Sequence, residues 1–295
     1  MRLLLATICT ACLMTAACDG DSVRISSTST DTGAKGVLKV VDALQCPESL
    51  GNLTRKGSAQ ADGKICVYSG PRGAEVELHL VTFGNDGAEP VLKGFETSLL
   101  ASMPRTAADL SRSSADSARA DAVSARADAE SARADAEAAG ADARAAADAS
   151  PDSAHISAPG MKIDAEGDRA SVRMPGIHVE ADGDKADVRI GGLTIRANDS
   201  GASVNGRVTT DADTVNVQAN DDAEQVRTRA PGEAIRQTYL MTDNRPSEAG
   251  WRMVGYEARG PRTGPIVVAT VRSRERNADG VFDDAKELVA LNVGE

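Results

Sequence analysis

Five cysteines and three histidines are the residues of this 295-residue chain best suited to covalent or metal chemistry, and their spacing limits what they can do. Cys46 and Cys66 are the two cysteines of the chain body. They form no Cys-x-x-Cys pair and have no histidine close by in sequence, so a metal or redox pair lacks its usual partners. In an oxidising compartment they are expected to join as a disulfide. Closing that loop would contribute about 3 kcal/mol in the chain-entropy model. His79, His155 and His178 fall in three different segments, which argues against a shared triad or metal site. The stretch from Gly57 to Lys64 is one residue too long for a phosphate loop, and Ile65 stands where a hydroxyl is required. Asn277-Ala278-Asp279-Gly280 echoes a calcium loop, but Lys286 occupies the position that needs a bidentate glutamate. No catalytic residue, metal ligand or cofactor is therefore expected from motifs.

The remaining cysteines lie at the amino terminus, Cys9 and Cys12 inside an apolar run and Cys18 at its end. Arg2, a short apolar stretch and the small residues Thr15-Ala16-Ala17 make an export signal over 1–17, too short and wrongly flanked for a spanning helix. Ala16-Ala17-Cys18 resembles the lipobox of bacterial lipoproteins, although Thr15 stands where the family usually has Leu. The resemblance covers only the leader. It implies that Cys18 becomes the lipid-modified first residue of the mature chain. The protein would then be anchored to a membrane of the cell envelope, facing the periplasm or the exterior. Asp19 is the residue associated in some Gram-negative bacteria with retention at the inner membrane. The other reading is an ordinary signal cut after Ala17, leaving Cys18 as a free thiol. Residues 18–35, rich in Ser, Thr and Asp, read as a flexible tether.

Lysine and arginine total 33 against 44 acidic residues, a net charge of −11, which argues against nucleic-acid binding. The seven aromatic residues divide the chain: Tyr68, Phe83 and Phe95 lie in the first third, while Tyr239, Trp251, Tyr256 and Phe282 lie in the last fifth. Large rings supply much of the burial in a compact core, so two heads are expected, over 36–104 and 226–295. In the first, Val37–Val41, Ile65–Tyr68 and Glu75–Val81 read as strands, followed by a short helix around Phe95–Met103. In the second, strands are expected around Ala249–Tyr256 and Pro265–Val271. A helix should follow, capped by Asp283 or Asp284.

Two repeats separate the heads. Over 105–150 a heptad recurs as Ser117–Val123, Ser124–Glu130 and Ser131–Glu137. Alanine favours helix over strand. With Ala122, Ala125, Ala129, Ala132, Ala136 and Ala139 on a seam, Asp121 and Asp128 fall at g and Arg126 and Arg133 at e. That charge pattern suits a weak parallel homo-oligomer through 115–146. Over 156–222 the units Pro159–Met174, Pro175–Ile190 and Gly191–Gly206 each offer two alternating strands. They fit a meander with turns at Gly167-Asp168 and Gly183-Asp184, or a solenoid stacking Met161, Ile177 and Leu193; the Pro-Gly steps lean towards the solenoid. This region is loosely similar to adhesin-like repeat sheets.

The expected fold class is thus modular α+β: a disulfide-closed head, an Ala-rich helix, a β-repeat (solenoid or meander) and an Arg-rich head. Trp251, Arg252, Tyr256 and Arg259 are candidates for contact with a ligand or partner, because arginine beside aromatic rings suits anionic surfaces. The functional expectation is a non-enzymatic scaffold or binding protein for another envelope protein or a cell-wall component. The alternative is an exported enzyme or small-ligand binder using one head.

Overall fold

The computed structural model describes residues 38–294, apart from 85, 140–152, 159–160, 175–176, 200, 211–212 and 233. It overturns the modular α+β expectation. One antiparallel sheet of 16 strands runs through both presumed heads and the repeat between them. In chain order, β1–β4 are Ser49–Leu50, Leu53–Arg55, Ile65–Ser69 and Glu75–Val81. Strands β5–β10 are Ser153–Ala158, Met161–Glu166, Arg169–Met174, Ile177–Asp182, Lys185–Ile190 and Leu193–Asn198. Strands β11–β16 are Gly201–Thr209, Thr214–Ala219, Ala223–Arg229, Ala234–Asp243, Met253–Pro261 and Ile266–Ser273. Among the described residues three α-helices accompany them: α1 (Glu89–Ser102), α2 (Pro104–Ala139) and α3 (Asp279–Val293).

The aromatic gap misled because the two ends of the chain build one core. Strand β4 pairs with β16 along its whole length, from Ile266 opposite Val81 to Arg272 opposite Glu75. Neither terminal segment has strands enough to bury both faces of its own sheet, and joining them removes two edges at once. On one face, α3 places Val281, Phe282, Ala285, Leu288, Val289 and Val293 against Leu53, Tyr68, Val76, Leu78 and Val271. On the other face, α1 sets Leu92 and Leu99 over Tyr239, Val254, Tyr256 and Val268.

Local chemistry explains the helix ends. Pro90 lies in the first turn of α1, where its missing N–H costs nothing. Met103 interrupts the helical path and Pro104 restarts it as α2. Helix α3 begins at Asp279, earlier than the expected cap at Asp283 or Asp284. Asp284 instead accepts hydrogen bonds from the Asn52 backbone N–H (2.8 Å) and side-chain amide (3.0 Å), and Asp283 pairs with Lys286. The expected strand at the start of the chain body is not one over its described part. Leu38 is buried against α3, and Lys39 donates its N–H to the carbonyl of Val293.

The repeat is a meander, not a solenoid. Ile177 pairs with Met174 and with Ile190, and Ile190 pairs with Leu193, so the sixteen-residue units fold as successive hairpins. Gly167 and Gly183 hold φ values of 56° and 57°, the left-handed conformation that the first position of a tight primed turn demands. Their flanks pair across the strands, Glu166 with Arg169 and Asp182 with Lys185. The Pro175-Gly176 step lies outside the described residues.

Candidate functional site

Strict alternation gives the sheet two chemically distinct faces. On the face that α1 and α2 occupy, one cross-strand row runs Arg227, Tyr239, Tyr256, Thr270 and Glu77. Glu96 of α1 comes down on this row. It accepts hydrogen bonds from Arg227 Nε at 3.0 Å and the Tyr256 hydroxyl at 2.9 Å, and Arg227 Nη2 contacts its second oxygen. The Gln237 amide donates to Glu96 and to the Tyr256 oxygen. The Tyr239 and Tyr256 rings stack at 5.7 Å, with the Arg227 guanidinium 5.7 Å over Tyr239. Burial, reinforced by the Glu96 charge, pushes both phenols well above their usual range, so they remain protonated donors.

Towards β4 the same row opens into a groove of about 320 Å³ between α1 and strands β4 and β16. Its polar floor is Glu77, His79, Thr270 and Arg272, and Val91, Phe95 and Leu99 form an apolar wall. His79 Nε2 lies 3.4 Å from a Glu77 oxygen, and the His79 ring packs 5.3 Å from Phe95. The hydrogen bond from His79 lowers the Glu77 pKa, with Arg272 adding to the effect against the opposing cost of burial. The Thr270 hydroxyl is buried and has no hydrogen-bond partner among the described residues. His79 is turned to Glu77, and no hydrogen bond joins it to Thr270, so the groove does not assemble a nucleophile with its base. It offers a hydroxyl, a guanidinium and a carboxylate to a ligand with an apolar side.

Helix α2 extends the cover over the polar face of the repeat. Ser114 accepts hydrogen bonds from Asn205 (3.2 Å) and Gln218 (3.3 Å). Asp121 pairs with Arg196 and, at 3.3 Å, with Arg189, and Asp187 pairs with both arginines. The charge expected at a coiled-coil g position is thereby engaged within the chain.

The opposite face of β6–β12 carries no charged residue. Its middle row reads Ile163, Val172, Val179, Val188, Ile195 and Val204. On one side runs a row of alanines, Ala165, Ala170, Ala181, Ala186, Ala197 and Ala202. On the other stand Met174, Ile177, Ile190 and Leu193. This last row continues through Gly206, Val217, Val226 and Leu240 to Gly255, where it passes beneath Phe282 of α3. The bare face is therefore the outward continuation of the core. The main packing of α3 is against β16, β15 and β4, and the main contacts of β6–β10 among the described elements are with their neighbouring strands. Ile190 is 51% exposed and Val208 45%.

The candidates chosen from sequence do not converge. Tyr256 is fully buried in the network with Glu96. Arg259 points to the other face of β15 and pairs with buried Glu257 at 2.7 Å. Trp251 is half-buried with the Arg274 guanidinium 5.5 Å from its ring, and Arg252 holds the Ser273 carbonyl through its backbone N–H. Cys46 and Cys66 are joined as a disulfide, while Cys18 lies outside the described residues. Sequence reasoning missed Glu96, whose signal is a carboxylate at i+4 between Leu92 and Leu99 on an otherwise apolar helical stripe. It also missed Thr270 and Arg272, since their strand reads as a plain apolar run. Among the described residues no cluster suited to a metal ion occurs, and no helix is long and apolar enough to cross a membrane. Compared with family models, curated proteins and solved structures, the chain finds no match.

Proposed function

We propose that the protein is a lipid-anchored lipoprotein of the bacterial envelope that acts as a non-enzymatic scaffold or binding protein, holding another envelope component against the apolar face of β6–β12. The observation that carries this reading is the uncharged middle row from Ile163 to Val204, over which no helix packs among the described residues where α3 ends. Exposed apolar patches beyond a few hundred Å² mark interaction surfaces. The lipobox-like ending at Cys18 supports the anchor. Fractionation and photocrosslinking in cells test both parts. Wild-type chain should sediment with membranes and Cys18→Ala should not. A photoreactive residue at position 179 should give an adduct, whereas one at position 180, on the opposite face, should not. Soluble wild-type protein, or equal labelling from both positions, would defeat the reading.

A second reading, a small-ligand-binding protein, is favoured by the groove, where a buried Thr270 hydroxyl without a partner among the described residues lies beside Arg272 and the Glu77–His79 pair. A fragment screen followed by comparison of wild type with Thr270→Val tests it. Retained affinity in the variant would remove Thr270 from the account.

A further inference from the structure

We infer that the component seated on the β6–β12 face is a second copy of this chain, packed face to face about a two-fold axis; the inference rests on the reading of that face as a binding surface. The first argument is shape. Over β6–β10 the face is a wedge in cross-section, with alanines along one margin, Val and Ile along the middle, and Met, Ile and Leu along the other margin. A two-fold rotation that sets the alanine margin of one copy against the bulky margin of the other keeps the gap even. The middle rows then meet at the ordinary sheet-on-sheet spacing of about 10 Å. An unrelated partner would have to supply the inverse wedge, whereas this chain already carries it. Symmetric contacts of this kind are the commonest assembly of soluble chains.

The second argument is extent. Seven strands about 4.8 Å apart, each contributing three positions, span roughly 30 Å by 17 Å, or on the order of 500 Å² per copy before side-chain relief is counted. Two copies together reach about 1,000 Å², the scale at which specific interfaces begin. The third argument is charge. In a protein of net charge −11, association by most other surfaces brings like charges together, but β6–β12 present only uncharged side chains here.

Strand β9 is central among β6–β12, so the axis passes near Val188. The test uses the full chain in native membranes with the near-isosteric substitution Val188→Cys, and Asp187→Cys on the opposite face as its control. On mild oxidation Val188→Cys should give a disulfide-linked dimer on a non-reducing gel, and Asp187→Cys should give none. Thermal melting of each variant verifies folding; should Val188→Cys melt early, Val179→Cys on the neighbouring strand takes its place. Absence of the linked dimer, or equal dimer from Asp187→Cys, overturns the inference. If position 188 is instead labelled by a bilayer-confined maleimide without dimer formation, the face takes lipid, and the second copy is excluded. An adduct of another mass from position 179 without the dimer would spare the binding-face reading while removing this one.

Discussion

The hydroxyl of Tyr256 donates to Glu96 at 2.9 Å across 160 residues of sequence, tying α1 to the middle of the sheet. Glu96 also receives Arg227 and Gln237, so one carboxylate completes three donors on three adjacent strands. Removing it leaves a guanidinium and a buried phenol without their acceptor. Glu96→Ala should lower unfolding free energy by about 2–4 kcal/mol in urea titration, and Glu96→Gln by less. A loss below 0.5 kcal/mol for the alanine variant would show the network to be incidental.

The Cys46–Cys66 bridge closes a 20-residue separation and ties the approach to β1 onto β3. Reduction, or paired Cys→Ala substitution, should cost about 3 kcal/mol, with a lowered melting temperature as the readout. Unchanged melting in reductant would contradict it.

At Gly255 the backbone passes close against the core. A Cβ there would lie 2.5 Å from the Tyr239 carbonyl oxygen and 3.0 Å from the Phe282 ring. Gly255→Ala should therefore destabilise by about 1–3 kcal/mol through overpacking. Gly57→Ala meets no neighbour within 4 Å and should suffer only its φ strain at 73°. Equal tolerance of both would refute the packing account.

Glu224 supplies a pH test. Burial raises its pKa above the ordinary 4.5, only partly offset by the Arg276 charge. A carboxyl raised in the folded state binds its proton more tightly there, so its contribution favours folding below the unfolded pKa and is lost as pH rises through the folded one. Glu224→Gln should raise the melting temperature at pH 7 and leave it nearly unchanged at pH 4. The opposite pH pattern would refute the assignment.

Single strands were legible where periodicity is local, while the architecture they build was not. The alternation in Pro175–Ile190 placed strands, but the Pro-Gly steps leaned towards a solenoid where the structure forms hairpins. What failed was long-range. Nothing in Glu75–Val81 announces that its partner begins at Ile266, because strand pairing at such separation is decided by which edges need cover, not by a residue pattern. The candidate site was illegible for the same reason. Thr270 and Glu77 are neighbours only through that pairing, and Tyr256 became a core residue once α1 lay over it. The disulfide was readable because two cysteines left one partner each.

Because each sixteen-residue unit closes as a hairpin on the sheet's outer side, the repeat behaves as a ruler. Adding or deleting a unit would lengthen or shorten the sheet by two strand spacings, about 10 Å, without touching the core beneath α3. Every such step preserves which side chains point to which face. The length of the sheet can thus drift by tandem duplication while β4 and β16 stay paired.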